Sequence, residues 1–164
     1  RGTIGGSVAH GDPASDLPAA LLALDATFTV QGGSGTRDIP AAAFFEGFLE
    51  TALTDDELLT EIRVPKAGAS GFAFQKFNRR AQDWAIVGAV AARVNGDTHV
   101  ALVNMGSTPV RATAVEQALA QGASVGDAAE RAADGTDPPQ DLNASPEFRE
   151  HLARVLVRRA LEAI

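Results

Sequence analysis

The 164-residue chain reads as an α+β protein, and three observations predict it. Alternating apolar and β-branched segments are joined by tight Gly or Asn turns, the pattern of antiparallel hairpins rather than of strand–helix–strand crossovers. Capped helical segments precede and follow those strands instead of alternating with them. A stretch of small residues, KAGASG at 66–71, separates two patterned regions and is the best candidate boundary. A chain that is 45% hydrophobic and 21% charged has ordinary globular composition and is long enough to bury a real core.

In chain order, a glycine-rich turn over residues 1–12 leads into a short helix. Ser15 or Asp16 can cap this helix, Pro18 sits in its first turn, and Ala19 to Leu24 continues it. Residues 26–31 alternate as a strand, Gly32 to Gly35 reverses the chain, and Thr36 to Ile39 returns as a second strand. Pro40 to Leu49, with Phe44, Phe45 and Phe48, is predicted to be a short helix. Thr54 to Glu57 is a turn before a strand over Leu58 to Val64, which Pro65 ends.

Beyond the boundary, Phe72, Phe74 and Phe77 mark a strand. The apolar runs Trp84 to Val94 and His99 to Met105 flank Asn95-Gly96-Asp97, a strong hairpin signal. The first run is alanine-rich and fits a buried helix as well as a strand; the Asn-Gly turn favours the strand. Ala112 to Gln121 is predicted helical, ending at Gly122, and Ser124 to Asp127 is a capping-box variant. Ser145 caps a final long helix with Pro146 in first position, and Phe148, Leu152, Val155 and Leu156 form its predicted apolar stripe.

Composition excludes several functions. A net charge of −7 argues against a nucleic-acid surface. No apolar run approaches the ~20 residues of a membrane span, and no export signal is visible. Without cysteine the chain holds no disulfide, thiolate nucleophile or iron–sulfur cluster of its own. A cytoplasmic location is the expectation. The chain opens with Arg1 inside a motif-like stretch, so it is expected to be a piece of a longer protein.

Thr3, Gly5, Gly6 and Ser7 precede an apolar helix, and outward N–H groups at such a place can cradle a diphosphate. Asp16 by itself fits a helix cap. His10, Asp12 and Asp16 match no metal spacing, so no metal is assigned. His99 and His151 read as surface or packing residues. Arg79, Arg80 and Asp83 form either an ion-pair cluster or a solvated face. No Ser-His-Asp order or paired-carboxylate constellation stands out, so no catalytic side chain is assigned.

The segment TIGGSVAHGDPASDLP at 3–18 resembles the second flavin motif of the FAD-carrying medium subunits of molybdenum hydroxylases, the family of aerobic carbon monoxide dehydrogenase and xanthine dehydrogenase. DELLTEIRVP at 56–65 is similar to the segment that closes the family's PCMH-type FAD domain. FQKFNRRAQDWAIV at 74–87 resembles the opening of its C-terminal domain, and EFREHLARVLVRRAL at 147–161 that domain's last helix.

The resemblance implies that residues 1–65 are the back part of the FAD domain and 66–71 a linker. Residues 72–164 would be a small antiparallel sheet flanked by helices. It implies FAD contacts by Thr3, Ile4, Gly5, Gly6 and Ser7 at the diphosphate, His10 beside the flavin, and Asp16 at sugar or ribityl hydroxyls. Leu59 would lie near the isoalloxazine ring. Lys76 would lie near the pyrimidine edge, with Gln75 the other residue that could face the ring. A second glycine-rich segment, which the family carries upstream, is absent from this sequence. The implied function is electron transfer: substrate is oxidised in a large molybdenum subunit, electrons pass two [2Fe–2S] clusters in a small subunit, and FAD delivers them to an acceptor. The alternative is a non-catalytic subunit-docking module that has lost FAD binding.

Overall fold

The computed structural model describes residues 2–66 and 71–164. Residues 67–70, the inside of the predicted linker, lie outside the described residues.

The chain starts with a helix where a turn is predicted. Residues Ile4–His10 form α1, capped by the Thr3 hydroxyl, which accepts from the Gly6 N–H at 3.0 Å. Gly5 and Gly6 therefore occupy the first helical turn. A β-carbon at Gly6 would stand 2.9 Å from the capping Thr3 Oγ1, so the missing side chain leaves room for the cap. Gly11 ends α1 in the left-handed region, at φ 67°. Helix α2 follows at Asp16–Ala23, with Pro18 in its first turn; Ser15 precedes it without a side-chain cap bond.

Strands β1 (Thr27–Gly32) and β2 (Gly35–Pro40) form the predicted hairpin. The predicted helix over 40–49 is not one. Ala41–Ala43 make a single 3-10 turn, and β3 (Phe45–Gly47) pairs with β4 (Glu50–Thr51) in a small hairpin. The aromatic residues decide this: Phe44 is fully buried edge-on against Phe28 at 4.6 Å and Phe45 at 5.2 Å. A continuous helix would carry the two adjacent rings to divergent faces. β5 (Leu58–Arg63) joins the other edge of β1, giving the order β2-β1-β5.

β6 (Phe72–Phe77), β7 (Val87–Val94), β8 (Asp97–Val103) and β9 (Val110–Arg111) form a four-stranded antiparallel sheet in chain order. Trp84 lies before β7 and is 58% exposed, so the strand starts later than the apolar run. β7 reads ambiguously in sequence because both its faces are buried, which removes the alternation. The helices α3 (Thr113–Ala120), α4 (Val125–Ala129) and α5 (Pro146–Glu162) follow, with Ser124 and Ser145 capping the last two as predicted.

The stripe on α5 is rotated from the predicted one. Arg149, Leu152, Ala153, Leu156, Val157 and Ala160 are buried, whereas Phe148 is 43% exposed and Val155 half-buried. Hydropathy points away from Arg149, yet it is the one α5 residue in the first turn that is fully inside.

Two apolar cores lie on the two faces of the four-stranded sheet. Ala73, Val87, Ala89, Ala91, Val100 and Leu102 pack with α3, α4 and α5. Val90, Ala101 and Val103 pack with α2 and with Val8, Phe28 and Val30. Helix α2 thus lies across the second sheet. Beyond its C-terminal end Asp25 is paired with Arg111 at 2.9 Å, and the Ala23 carbonyl meets His99 Nδ1 at 3.0 Å.

Candidate functional site

Strand alternation settles which of Gln75 and Lys76 faces α2. Ala73 belongs to the α5-side core, and Phe77 stacks edge-on with Phe148 of α5 at 6.2 Å, so Gln75 shares their face. Phe74 packs with the opposite core, and Lys76 points with it. There Lys76 Nζ meets Asp16 Oδ2 at 3.0 Å. Two residues sixty positions apart, picked separately from sequence, are thus brought together at the start of α2.

The pair is incomplete in one respect. Asp16 Oδ1 is buried and has no hydrogen-bond partner in the protein. A buried carboxylate oxygen left unpaired is costly, so it calls for a donor from outside the chain. The pair borders a cleft of about 270 Å³ walled by two stretches of chain, Ala14 with Asp16 and Gln82 with Asp83 and Trp84, together with Lys76. A carboxylate oxygen wanting a donor, beside a lysine cation, suits a ligand that carries both hydroxyl groups and negative charge.

The other predicted residues fall into two groups. Thr3, Ile4, Gly5, Gly6 and Ser7 form the first turn of α1, which packs against α2 and β5. Ile4 is 60% exposed, and Gly6 is exposed as well. The Thr3 oxygen accepts the Gly6 N–H, and its O–H remains a donor. His10 is exposed in the last turn of α1. Leu59 pairs in register with Val30 and packs at the edge of the core that contains Val8. Among the described residues, Arg79, Arg80 and Asp83 make no ion pair with one another. Arg79 instead donates to Asn143 at 3.1 Å, and Asp83 accepts from the Trp84 N–H.

Two residues near the cleft are not legible in the sequence. Asn104, just past β8, takes φ 60° and bonds to three backbone carbonyls on two segments. Arg149 donates from the buried face of α5 to the Ile86 carbonyl. An Asn after an apolar strand is compatible with a left-handed turn, which is the only signal that could have found the first.

Residues 72–164 match the family model described as the CO dehydrogenase flavoprotein C-terminal domain, and residues 1–67 match the FAD binding domain in molybdopterin dehydrogenase. The chain belongs to the CO dehydrogenase flavoprotein family. It is 38% identical, over 99% of its length, to the carbon monoxide dehydrogenase medium chain of Hydrogenophaga pseudoflava, of which it covers 60%. It is 35% identical to the 6-hydroxypseudooxynicotine dehydrogenase complex subunit alpha of Paenarthrobacter nicotinovorans, over 98% of this chain and 58% of that one. The solved carbon monoxide dehydrogenase from Hydrogenophaga pseudoflava superposes with a TM-score of 0.91 at 39% identity, over 99% of this chain and 60% of that one. The chain therefore spans about 60% of the length of these relatives. No helix among the described residues is long and apolar enough to cross a membrane.

Proposed function

We propose that the chain is the C-terminal part of the FAD-binding, electron-transfer medium subunit of a molybdenum-containing dehydrogenase. Residues 1–65 would complete the FAD domain and 72–164 form the domain that docks on it. The observation that carries this reading is the unpartnered Asp16 oxygen beside Lys76, at positions where the family motif expects FAD contacts.

When bound, FAD would supply the redox chemistry, between electrons arriving from the oxidised substrate by way of a partner's iron–sulfur clusters and an external acceptor. The chain's own residues bind and orient. Thr3, Ile4, Gly5, Gly6 and Ser7 line the diphosphate's place: the Thr3 and Ser7 hydroxyls and the Ile4 and Gly5 N–H groups are the donors, while Gly6 gives close approach and, with Ser7, spends its N–H on Thr3. Asp16 accepts from a hydroxyl of the cofactor through its free oxygen. Lys76 adds positive charge on the same side. His10 and Leu59 flank the cofactor, Leu59 through its apolar edge. The partners are a large molybdenum subunit, which oxidises the substrate, and a small iron–sulfur subunit.

The two relatives are named for substrates as unlike as carbon monoxide and 6-hydroxypseudooxynicotine. That contrast fits a chain that handles electrons and leaves substrate choice to another subunit.

The test is an FAD titration of the full-length subunit that contains this chain, followed by flavin fluorescence. Quenching that saturates near one FAD per subunit, and is weakened by Thr3→Ala, is the expected result. Absence of quenching by the wild-type subunit would end the flavin reading and leave a subunit-docking module.

A further inference from the structure

The two walls of the cleft come from distant parts of the chain, and one residue ties both. The Asn104 backbone N–H donates to the Pro13 carbonyl at 2.8 Å, immediately before the wall formed by Ala14 and Asp16. Its side-chain amide donates to the Ala85 carbonyl at 2.8 Å and the Ile86 carbonyl at 3.3 Å, immediately after the wall formed by Gln82, Asp83 and Trp84. Asn104 itself is anchored at the end of β8, the next strand over from β7 in the rigid sheet.

We propose that Asn104 is a positioning residue that sets the width of the Asp16–Lys76 cleft, and through it the seating of the cofactor. This rests on the flavin reading above for its ligand, but not for its geometry. The residue type is close to obligatory. The backbone is left-handed at φ 60°, which Asn and Gly tolerate and most residues do not. Only Asn also presents an amide with two donors to two converging carbonyls. Arg149 holds the Ile86 carbonyl from the α5 side, so the wall ending at Ile86 is gripped from both faces of the sheet. On the other side the Asp12 turn, through the Ala14 and Ser15 N–H groups, and the Lys76–Asp16 pair hold the stretch locally, and the Asn104–Pro13 bond ties it to the sheet.

Two substitutions separate positioning from mere relief of backbone strain. Asn104→Gly suits the left-handed backbone but removes the amide. Asn104→Asp keeps size and backbone tolerance but turns a carboxylate toward two carbonyl oxygens. In the full-length subunit both are expected to speed hydrogen exchange in peptides 11–18 and 80–87, while the α5 peptides stay protected. Both should weaken FAD binding by about tenfold, the worth of one well-placed hydrogen bond, and alter the visible circular dichroism of the bound flavin.

If Asn104→Gly matches wild type in exchange and in flavin affinity, the residue serves only the backbone turn and the proposal falls. The same follows if Asn104→Asp is silent. Should the wild-type subunit bind no FAD, the flavin reading fails alone; the exchange data still decide whether Asn104 joins the two walls.

Discussion

The two faces of the four-stranded sheet each carry a carboxylate–cation pair, and the two pairs are built differently. On the α5 side Asp141 is saturated: its oxygens accept the N–H groups of Asn143 and Ala144 at 2.8 and 3.0 Å, and Arg149 Nη2 lies 2.8 Å away. On the α2 side Asp16 has one oxygen on Lys76 and the other buried and unpartnered. A saturated carboxylate is a structural part, here bracketing a loop to a helix. An unsaturated one is tolerated only where something else completes it. The contrast is between the two carboxylates; on the brace it is the buried cation, Arg149, whose Nε and Nη2 lack a hydrogen-bond partner, Nη2 meeting Asp141 as an ion pair.

Removing the brace should have the largest effect. Arg149 is fully buried, and Arg149→Ala would leave a void, free the Ile86 carbonyl and strip Asp141 of its cation. A loss of about 3 kcal/mol is expected from the void and the unpaired Ile86 carbonyl together, read as a lower urea midpoint. Arg149→Met fills the space and should recover part of that loss. Equal midpoints for wild type and Arg149→Ala would mean that the guanidinium contributes nothing there.

The site pair should behave in the opposite way. Asp16→Asn ought to weaken FAD binding about tenfold, as when one charge-assisted hydrogen bond is lost, with little change in the urea midpoint. Asp141→Asn should lower the midpoint and leave flavin affinity within about twofold of wild type. If the two substitutions exchange effects, the assignment of brace and site is reversed.

Much of this contrast was legible in the sequence, but unevenly. Asp16 and Lys76 are singled out by the family resemblance of the stretches that carry them, and the hairpins by Gly32 to Gly35 and Asn95-Gly96, because such signals are local. The chain start and the Phe-rich segment were misread for a shared reason. Gly5 and Gly6 suggested a turn, yet the Thr3 cap allows a helix; Phe44 to Phe48 suggested a helix, yet burial of Phe44 and Phe45 side by side imposes a hairpin. Tertiary contacts outweigh propensity in both cases. The roles of Arg149 and Asn104 are not legible in the sequence, beyond the left-handed turn that an Asn after a strand suggests. Their roles lie in carbonyls of residues far away in sequence, which no pattern of side chains encodes.

A smaller effect tests how much Lys76 matters to folding. The pair is partly exposed, with 21% of the Lys76 side chain and 44% of the Asp16 side chain open to solvent. Exposed pairs contribute about 0–1 kcal/mol, so Lys76→Met should move the urea midpoint by no more than about 1 kcal/mol equivalent. A shift as large as that of Arg149→Ala would make Lys76 a second brace rather than part of a site.

The smallest expected difference is in acid. Burial pushes the Asp141 carboxyl up, but the Asn143 and Ala144 N–H groups, the Asn143 side chain and Arg149 together hold it below its ordinary value of 3.8. The unfolded chain therefore binds the proton more readily, and the stability from this group is complete above pH 3.8 and lost as pH falls through the lower folded value. Glu57 behaves likewise over a wider window, since the Arg37 hydrogen bond and the Thr54 N–H bring it from 4.5 to about 2. Arg149→Met removes one cause of the Asp141 shift and none of the Glu57 shift. Its unfolding free energy should accordingly fall slightly less steeply than wild type below pH 3.8, with parallel curves above it. An unchanged slope would show that the backbone N–H groups alone hold Asp141 ionised, making Arg149 a support for the Ile86 carbonyl rather than a partner of the carboxylate.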